Sequence, residues 1–206
     1  MVIKLVQIEE LVRQAERKAF SEINKRASTV HSTLPIFFDT SGPHHPVYHA
    51  TPVHLLLKHV SEEISLPRDI EAAVFGSGLG ASATALALWV KRVTLFEIDP
   101  LLLDLSKEVL AAAGIDNAAF VAGDFLDVAV KLDNFGAVYF YNPFSDDCPQ
   151  IMSQRLLATA PGTYAISHQM SVPVFHDPQH FTLVHPPFNG GQQKLLLSEF
   201  YTAVRK

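Results

Sequence analysis

Apolar residues recur at steps of three and four between Lys4 and Arg26, where Leu5, Ile8, Val12, Ala15, Ala19 and Ile23 are separated by glutamate, arginine and lysine. This spacing predicts an amphipathic helix whose mixed-charge face reads as a solvated surface. The periodicity stops between His31 and Pro52, where prolines and histidines crowd a stretch that reads as a structured loop or lid. Pro52 then suits the first turn of a short helix carrying Val53, Leu56, Leu57 and Val60.

From Glu71 the pattern changes to short apolar runs alternating with helical ones. Strands are predicted at Ala72–Phe75, Val93–Ile98, Ala118–Ala122, Ala137–Tyr141 and Thr163–Ser167. Helices are predicted at Ala81–Val90, at Leu101–Ala113 closed by Gly114, and at Gln150–Thr159, with a short helical piece before the fourth strand. Such alternation implies a mostly parallel sheet covered on both faces. Phe181–His185 and Leu195–Val204 break the rhythm, because only a loop containing Asn189-Gly190-Gly191 separates them, and so short a connection joins antiparallel neighbours. The expected fold is α/β, a Rossmann-like seven-stranded mixed sheet with one antiparallel strand near the C-terminus and an N-terminal helical extension. Residues 1–60 supply the helix, lid and short helix, residues 61–206 the sheet domain, and the two form one structural unit.

Composition narrows the function. The 206 residues are 48% apolar and 18% charged, enough to bury a sizeable core. A net charge of -5 gives no general attraction to nucleic acid or anionic membrane. Cys148 is the single cysteine, which excludes an internal disulfide framework and a multi-cysteine zinc site, and it has no basic neighbour in sequence that would favour thiolate. Glu9 and Glu10 stand where a secretory signal needs apolar residues, and no run is long enough to span a bilayer; a cytoplasmic protein is expected.

The chemistry gathers where predicted strands end. Val74-Phe75-Gly76-Ser77-Gly78-Leu79-Gly80-Ala81 joins the first strand to a helix. Glycines 76 and 78 permit a tight turn and close approach of backbone to a ligand, and Gly80 or Ala81 permits close packing of the helix on the sheet. Glu97 ends the second strand about 20 residues on, where nucleoside-binding sheets place a carboxylate for ribose hydroxyls; its plainer reading is an exposed strand-end charge. Asp99 before Pro100 reads as a helix N-cap. After the third strand, Asp124 either accepts from an adenine amino group or caps the next helix, while Phe125 or Ile98 covers a ring face. The fourth strand delivers Tyr141-Asn142-Pro143-Phe144, a turn or an aromatic acceptor pocket around an amide.

In this order the residues resemble the class I S-adenosylmethionine-dependent methyltransferases over about Glu71 to Ser167. Within that superfamily the chain is similar to a bacterial branch with a Tyr-Asn-Pro-Phe fourth motif, distantly similar to the nucleosomal histone-lysine methyltransferases. Tyr48-His49-Ala50-Thr51-Pro52 stands in the place of that branch's Tyr-x-x-Thr-Pro stretch. The resemblance implies S-adenosyl-L-methionine as cofactor, held by Tyr48, Thr51, the glycine loop with Ser77, Glu97, Asp124 and Asn142. It also implies an unidentified methyl acceptor, an amine nitrogen being the candidate, placed by Asn142 with Tyr141 and Phe144 lining the pocket. Two departures stand out. Val74 occupies the position where the superfamily carries an acidic residue near the methionine amino group, so either another group binds the ammonium or the cofactor differs. Asn142-Pro143-Phe144 has one proline where amino methyltransferases have two.

Competing readings remain. Gly76, Gly78 and Ala81 also fit a dinucleotide loop, which would make an NAD(P)-dependent oxidoreductase. Val93 to Pro100 is similar to polyamine aminopropyltransferases, though those carry aspartate after the fourth strand. Val74 also admits a catalytically inactive cofactor-binding module. His44, His45 and His49, and the pair His176 and His180, match no metal-site spacing, and no metal is expected.

Overall fold

A computed structural model describes residues 5–29, 51–125, 130–141, 148–168, 172–185 and 200–206. Helix α1 spans Leu5–Thr29 and buries Ile8, Val12 and Ala15, three positions of the predicted apolar stripe. It packs against α4 (Pro100–Ala112), with Lys18 Nζ 2.6 Å from Glu108 Oε2 at the exposed rim. Helix α2 is only Val53–Lys58, with Pro52 as its N-cap in extended conformation rather than inside the first turn. The chain then widens into a π-helical turn, His59–Glu63, which apolar spacing does not distinguish from an ordinary helix.

Seven strands follow: β1 Glu71–Phe75, β2 Arg92–Glu97, β3 Ala118–Ala122, β4 Ala137–Tyr141, β5 Tyr164–His168, β6 Phe181–His185 and β7 Phe200–Arg205. Their order is β3-β2-β1-β4-β5-β7-β6, with every neighbouring pair among the first five parallel and β7 antiparallel to both β5 and β6. The mixed α/β sheet and its single reversed strand are as the sequence predicts. Helices α3 (Ala81–Ala87) and α5 (Cys148–Leu157) complete the set among the described residues, with a 3₁₀ turn at Pro173–His176 that no sequence pattern announced.

The pleat divides the core in two. Val74, Leu95, Tyr139, Ile166 and Phe200 face α1 to α4, whereas Phe75, Phe96, Phe140, Ala165 and Ala203 face α5 and the 3₁₀ turn. Helix α3 stops at Ala87, shorter than the predicted Ala81–Val90, because Trp89 and Val90 turn back to the Leu86 carbonyl. Strands β2 and β5 are each displaced by one residue from the predicted bounds. The displacement takes Ile98 out of β2 and brings His168 to the end of β5. The predicted residues 195–199 of the last strand lie outside the described residues.

Among the described residues no helix is long and apolar enough to cross a membrane.

Candidate functional site at the carboxyl edge of the sheet

Strand order reverses between β1 and β4, so the crevice beyond their carboxyl ends is where an open α/β sheet takes its ligand. The chain leaves β1 through three left-handed glycines, Gly76 (φ 62°), Gly78 (φ 53°) and Gly80 (φ 83°). Residues with a Cβ pay to adopt this conformation, so the sequence here is dictated by the turn. The loop is tied down at Ser77, whose N–H donates to the Phe96 carbonyl (3.0 Å), and at Gly80, whose N–H donates to the Ser77 carbonyl (2.9 Å). Gly80 opens α3, but its close neighbour is α4 rather than the sheet: a Cβ placed there would lie 2.7 Å from Leu110 Cδ1 and 3.1 Å from Ser106 Cβ. The expected close helix–sheet packing is therefore a close helix–helix packing.

Glu97 is 5% exposed, which rules out an exposed strand-end charge. Its Oε2 accepts from the Gly78 N–H at 2.7 Å and its Oε1 from the Asp99 N–H at 3.0 Å. The carboxylate thus joins the glycine loop to the end of β2. Burial pushes its pKa above the usual carboxylate range, and the Asp99 and Gly78 amides partly oppose that rise. Asp99 acts as the predicted N-cap, accepting at Oδ1 from Leu101 N (2.7 Å) and Leu102 N (3.4 Å) with Pro100 in the first turn. Beside them Ile98 is 59% exposed, a large apolar side chain left uncovered next to a buried carboxylate. Ser77 Oγ is buried, with no hydrogen-bond partner among the described residues.

Around β3, Gly123 N–H donates to the Glu97 carbonyl at 3.0 Å, which extends the ladder to the crevice. Asp124 is exposed beyond it. Phe125 turns into the second core and stacks on Phe75, with ring centroids 4.6 Å apart at 7°. Of the two residues predicted to cover a ring face, this placement leaves Ile98 at the surface of the crevice.

At β4, Tyr139 is 1% exposed and its hydroxyl lies 2.7 Å from Thr51 Oγ1, so Thr51 is held against the sheet at the entry to α2. Tyr141 ends the strand, and burial raises its phenol pKa. Tyr48, Asn142 and Phe144 lie outside the described residues.

Sequence reasoning missed a row of rings running sideways from Tyr141. The register pairs Tyr141 with His168 on β5 and His168 with Phe200 on β7. Their rings stack at centroid distances of 4.4 and 4.6 Å, and His59 of the π turn stacks on Phe200 at 4.8 Å. His59 is wholly buried, with Nδ1 2.7 Å from Glu63 Oε2 and Nε2 2.8 Å from Thr202 Oγ1. The ring types were visible in the sequence, but pairings this distant along the chain were not. His59→Phe keeps an aromatic stack on Phe200 while removing the imidazole bonds to Glu63 and to the buried Thr202 hydroxyl; a loss of about 2 kcal/mol in stability is expected, read from the urea midpoint.

No group of three or more metal-ligating side chains is found among the described residues; His44, His45 and His49 lie outside them.

No family model matches the chain, and no curated protein matches it. Solved structures do. MtNAS in complex with S-adenosylmethionine, as a point variant, superposes with a TM-score of 0.57 at 18% identity, over 75% of this chain and 61% of that one. An RNA methyltransferase from Salinibacter ruber in complex with S-adenosyl-L-homocysteine gives 0.56 at 21%, over 77% and 92%. SMU.1697c from Streptococcus mutans in complex with SAH gives 0.55 at 17%, over 77% and 100%. The overlap covers about half of some other matched chains, 50% of YcgJ from Bacillus subtilis among them. With the strand order, the glycine turn and the carboxylate at the end of β2, these matches give the chain the fold of the class I S-adenosylmethionine-dependent methyltransferases.

Proposed function

We propose that the chain is an S-adenosylmethionine-dependent methyltransferase. The observation that carries this reading is the buried Glu97 carboxylate clamped to the Gly78 amide at the reversal point of the sheet. The described residues suit an adenosyl sulfonium. Glu97 offers acceptor lone pairs for ribose hydroxyls, Ile98 an apolar surface for a purine, and Ser77 Oγ a buried polar atom in want of a partner. Asp124, exposed after β3, is assigned to the adenine amino group. When bound, the cofactor supplies a methyl carbon already activated by the adjoining sulfonium, so alignment and exclusion of water are the main tasks left to the protein.

On this reading the glycine loop brings backbone close to the ligand, and the carboxylate fixes the sugar. Tyr141, raised on its ring stack, walls the acceptor side. Asn142 and Phe144 follow it in the sequence motif and are assigned to the acceptor on that ground; an amide oxygen can accept an N–H of an amine and so aim the amine's lone pair at the methyl carbon. An amine nitrogen of a small molecule or a protein side chain is the methyl acceptor that an amide oxygen suits best.

A thermal-shift panel tests the cofactor. S-adenosylmethionine and S-adenosylhomocysteine should raise the melting temperature while NAD and NADP leave it unchanged, because a ligand selective for the native state stabilises it by mass action. Stabilisation by NAD or NADP alone would favour an oxidoreductase instead. In turnover with candidate amines, release of S-adenosylhomocysteine from S-adenosylmethionine marks methyl transfer, whereas release of methylthioadenosine marks transfer of the 3-amino-3-carboxypropyl group or, from decarboxylated S-adenosylmethionine, of the aminopropyl group.

A further inference from the structure

Resting on that reading, we propose that His168 is a positioning residue for the reaction, seating the Tyr141 ring against the methyl-bearing sulfonium of the cofactor. A ligand whose ribose sits on Glu97 at the end of β2 and which crosses β1 brings its sulfur toward the end of β4, because the strands run β2-β1-β4. Tyr141 is the last residue of β4 and is half-buried there. Its register partner is His168, the last residue of β5, and the two rings stack with centroids 4.4 Å apart at 30°.

His168 is wholly buried, so it acts through the ring in front of it. Strand β5 lies between β4 and β7, and the imidazole is accordingly held between two rings: Tyr141 on one side and Phe200, the first residue of β7, on the other at 4.6 Å and 21°. His59 backs Phe200 at 4.8 Å and is itself tied to Glu63 and Thr202. A tyrosine at the open end of a strand would otherwise sample several rotamers, and ordering it on binding would cost affinity. The stack on a clamped imidazole orders it beforehand. An aromatic ring attracts a cation through its quadrupole, and the sulfonium is a cation. S-adenosylhomocysteine lacks both the methyl group and the charge, so a well-seated Tyr141 favours S-adenosylmethionine over it.

Calorimetry with these two ligands separates positioning from mere packing, since damage to the fold weakens both alike. His168→Ala removes the ring and opens a cavity; His168→Leu removes the ring but keeps the space filled, so it carries the test should the alanine variant fail to fold. Each should weaken S-adenosylmethionine by about threefold to tenfold, the range of a cation held at an aromatic ring, and leave S-adenosylhomocysteine within about twofold. His168→Phe, which restores a flat ring between Tyr141 and Phe200, should bind both ligands like the parent. Equal weakening of both ligands, no change in either, or a phenylalanine variant that behaves like the leucine one overturns the proposal and leaves the methyltransferase reading intact. Failure of the parent protein to bind either ligand overturns that reading, and the role of His168 with it.

Discussion

Glu97→Ala is expected to weaken S-adenosylmethionine binding by at least about tenfold, the cost of losing charge-assisted hydrogen bonds to a ribose. The substitution also frees the Gly78 and Asp99 amides, so the loop loses its tie to β2 as well as its acceptor. Glu97→Gln separates the two effects. It keeps one acceptor oxygen for an amide but replaces the other with a donor, so binding should fall while the loop retains part of its bracing. Unchanged affinity in both variants, measured by calorimetry, would remove Glu97 from the site.

The same carboxylate sets a pH dependence opposite to that of a salt-bridged acid. Because burial raises its pKa from the ordinary value of 4.5, the folded protein holds this proton more tightly than the unfolded chain. Between 4.5 and the raised folded value the native state therefore binds more protons, and the group's contribution to stability falls as pH climbs through that window. Glu97→Gln has no such titration. Its stability relative to the parent should improve as pH rises above 4.5 and level off once the parent carboxylate is ionised in both states. A constant difference across that range would mean that the carboxylate is not held in a desolvated site.

Gly80→Ala is expected to cost about 2–4 kcal/mol, from a left-handed conformation imposed on a residue with a Cβ and from overpacking against α4. Leu110 is buried and cannot swing clear, and Ser106 stands behind it with its Cα 3.5 Å from the added atom. Since Gly80 opens α3 directly after the turn carrying Gly78, the strain should also reach ligand binding. Urea unfolding checks the stability; a loss under about 1 kcal/mol would mean that α3 and α4 separate readily and that the glycine is a local convenience.

Much of this was legible from local pattern. The strand run Glu71 to His168, the helix cap at Asp99-Pro100 and the glycine turn each depend on a few adjacent residues, and the structure places them within a residue or two of the sequence reading. Glu97 was legible in position, while its burial and its bond to Gly78 depend on folding. Phe125 shows the limit, because an aromatic residue after a strand serves a crevice or a core equally well, and only the stack on Phe75 decides between them. The π turn, the His59–Thr202 contact and the ring row from Tyr141 to Phe200 are products of non-local pairing. The one local hint was the placement of aromatic residues and histidines at the ends of three strands. The role of Gly80 was half legible: the need for a missing side chain was plain, but the partner pressing on it belongs to α4.

A crystal structure of the protein grown with S-adenosylhomocysteine tests the central claim most directly. The ligand should lie across the carboxyl ends of β2, β1 and β4, with both ribose hydroxyls within hydrogen-bond distance of the Glu97 carboxylate and the purine against Ile98. A ligand bound elsewhere, or a crevice closed by side chains with no ligand in it, would contradict it.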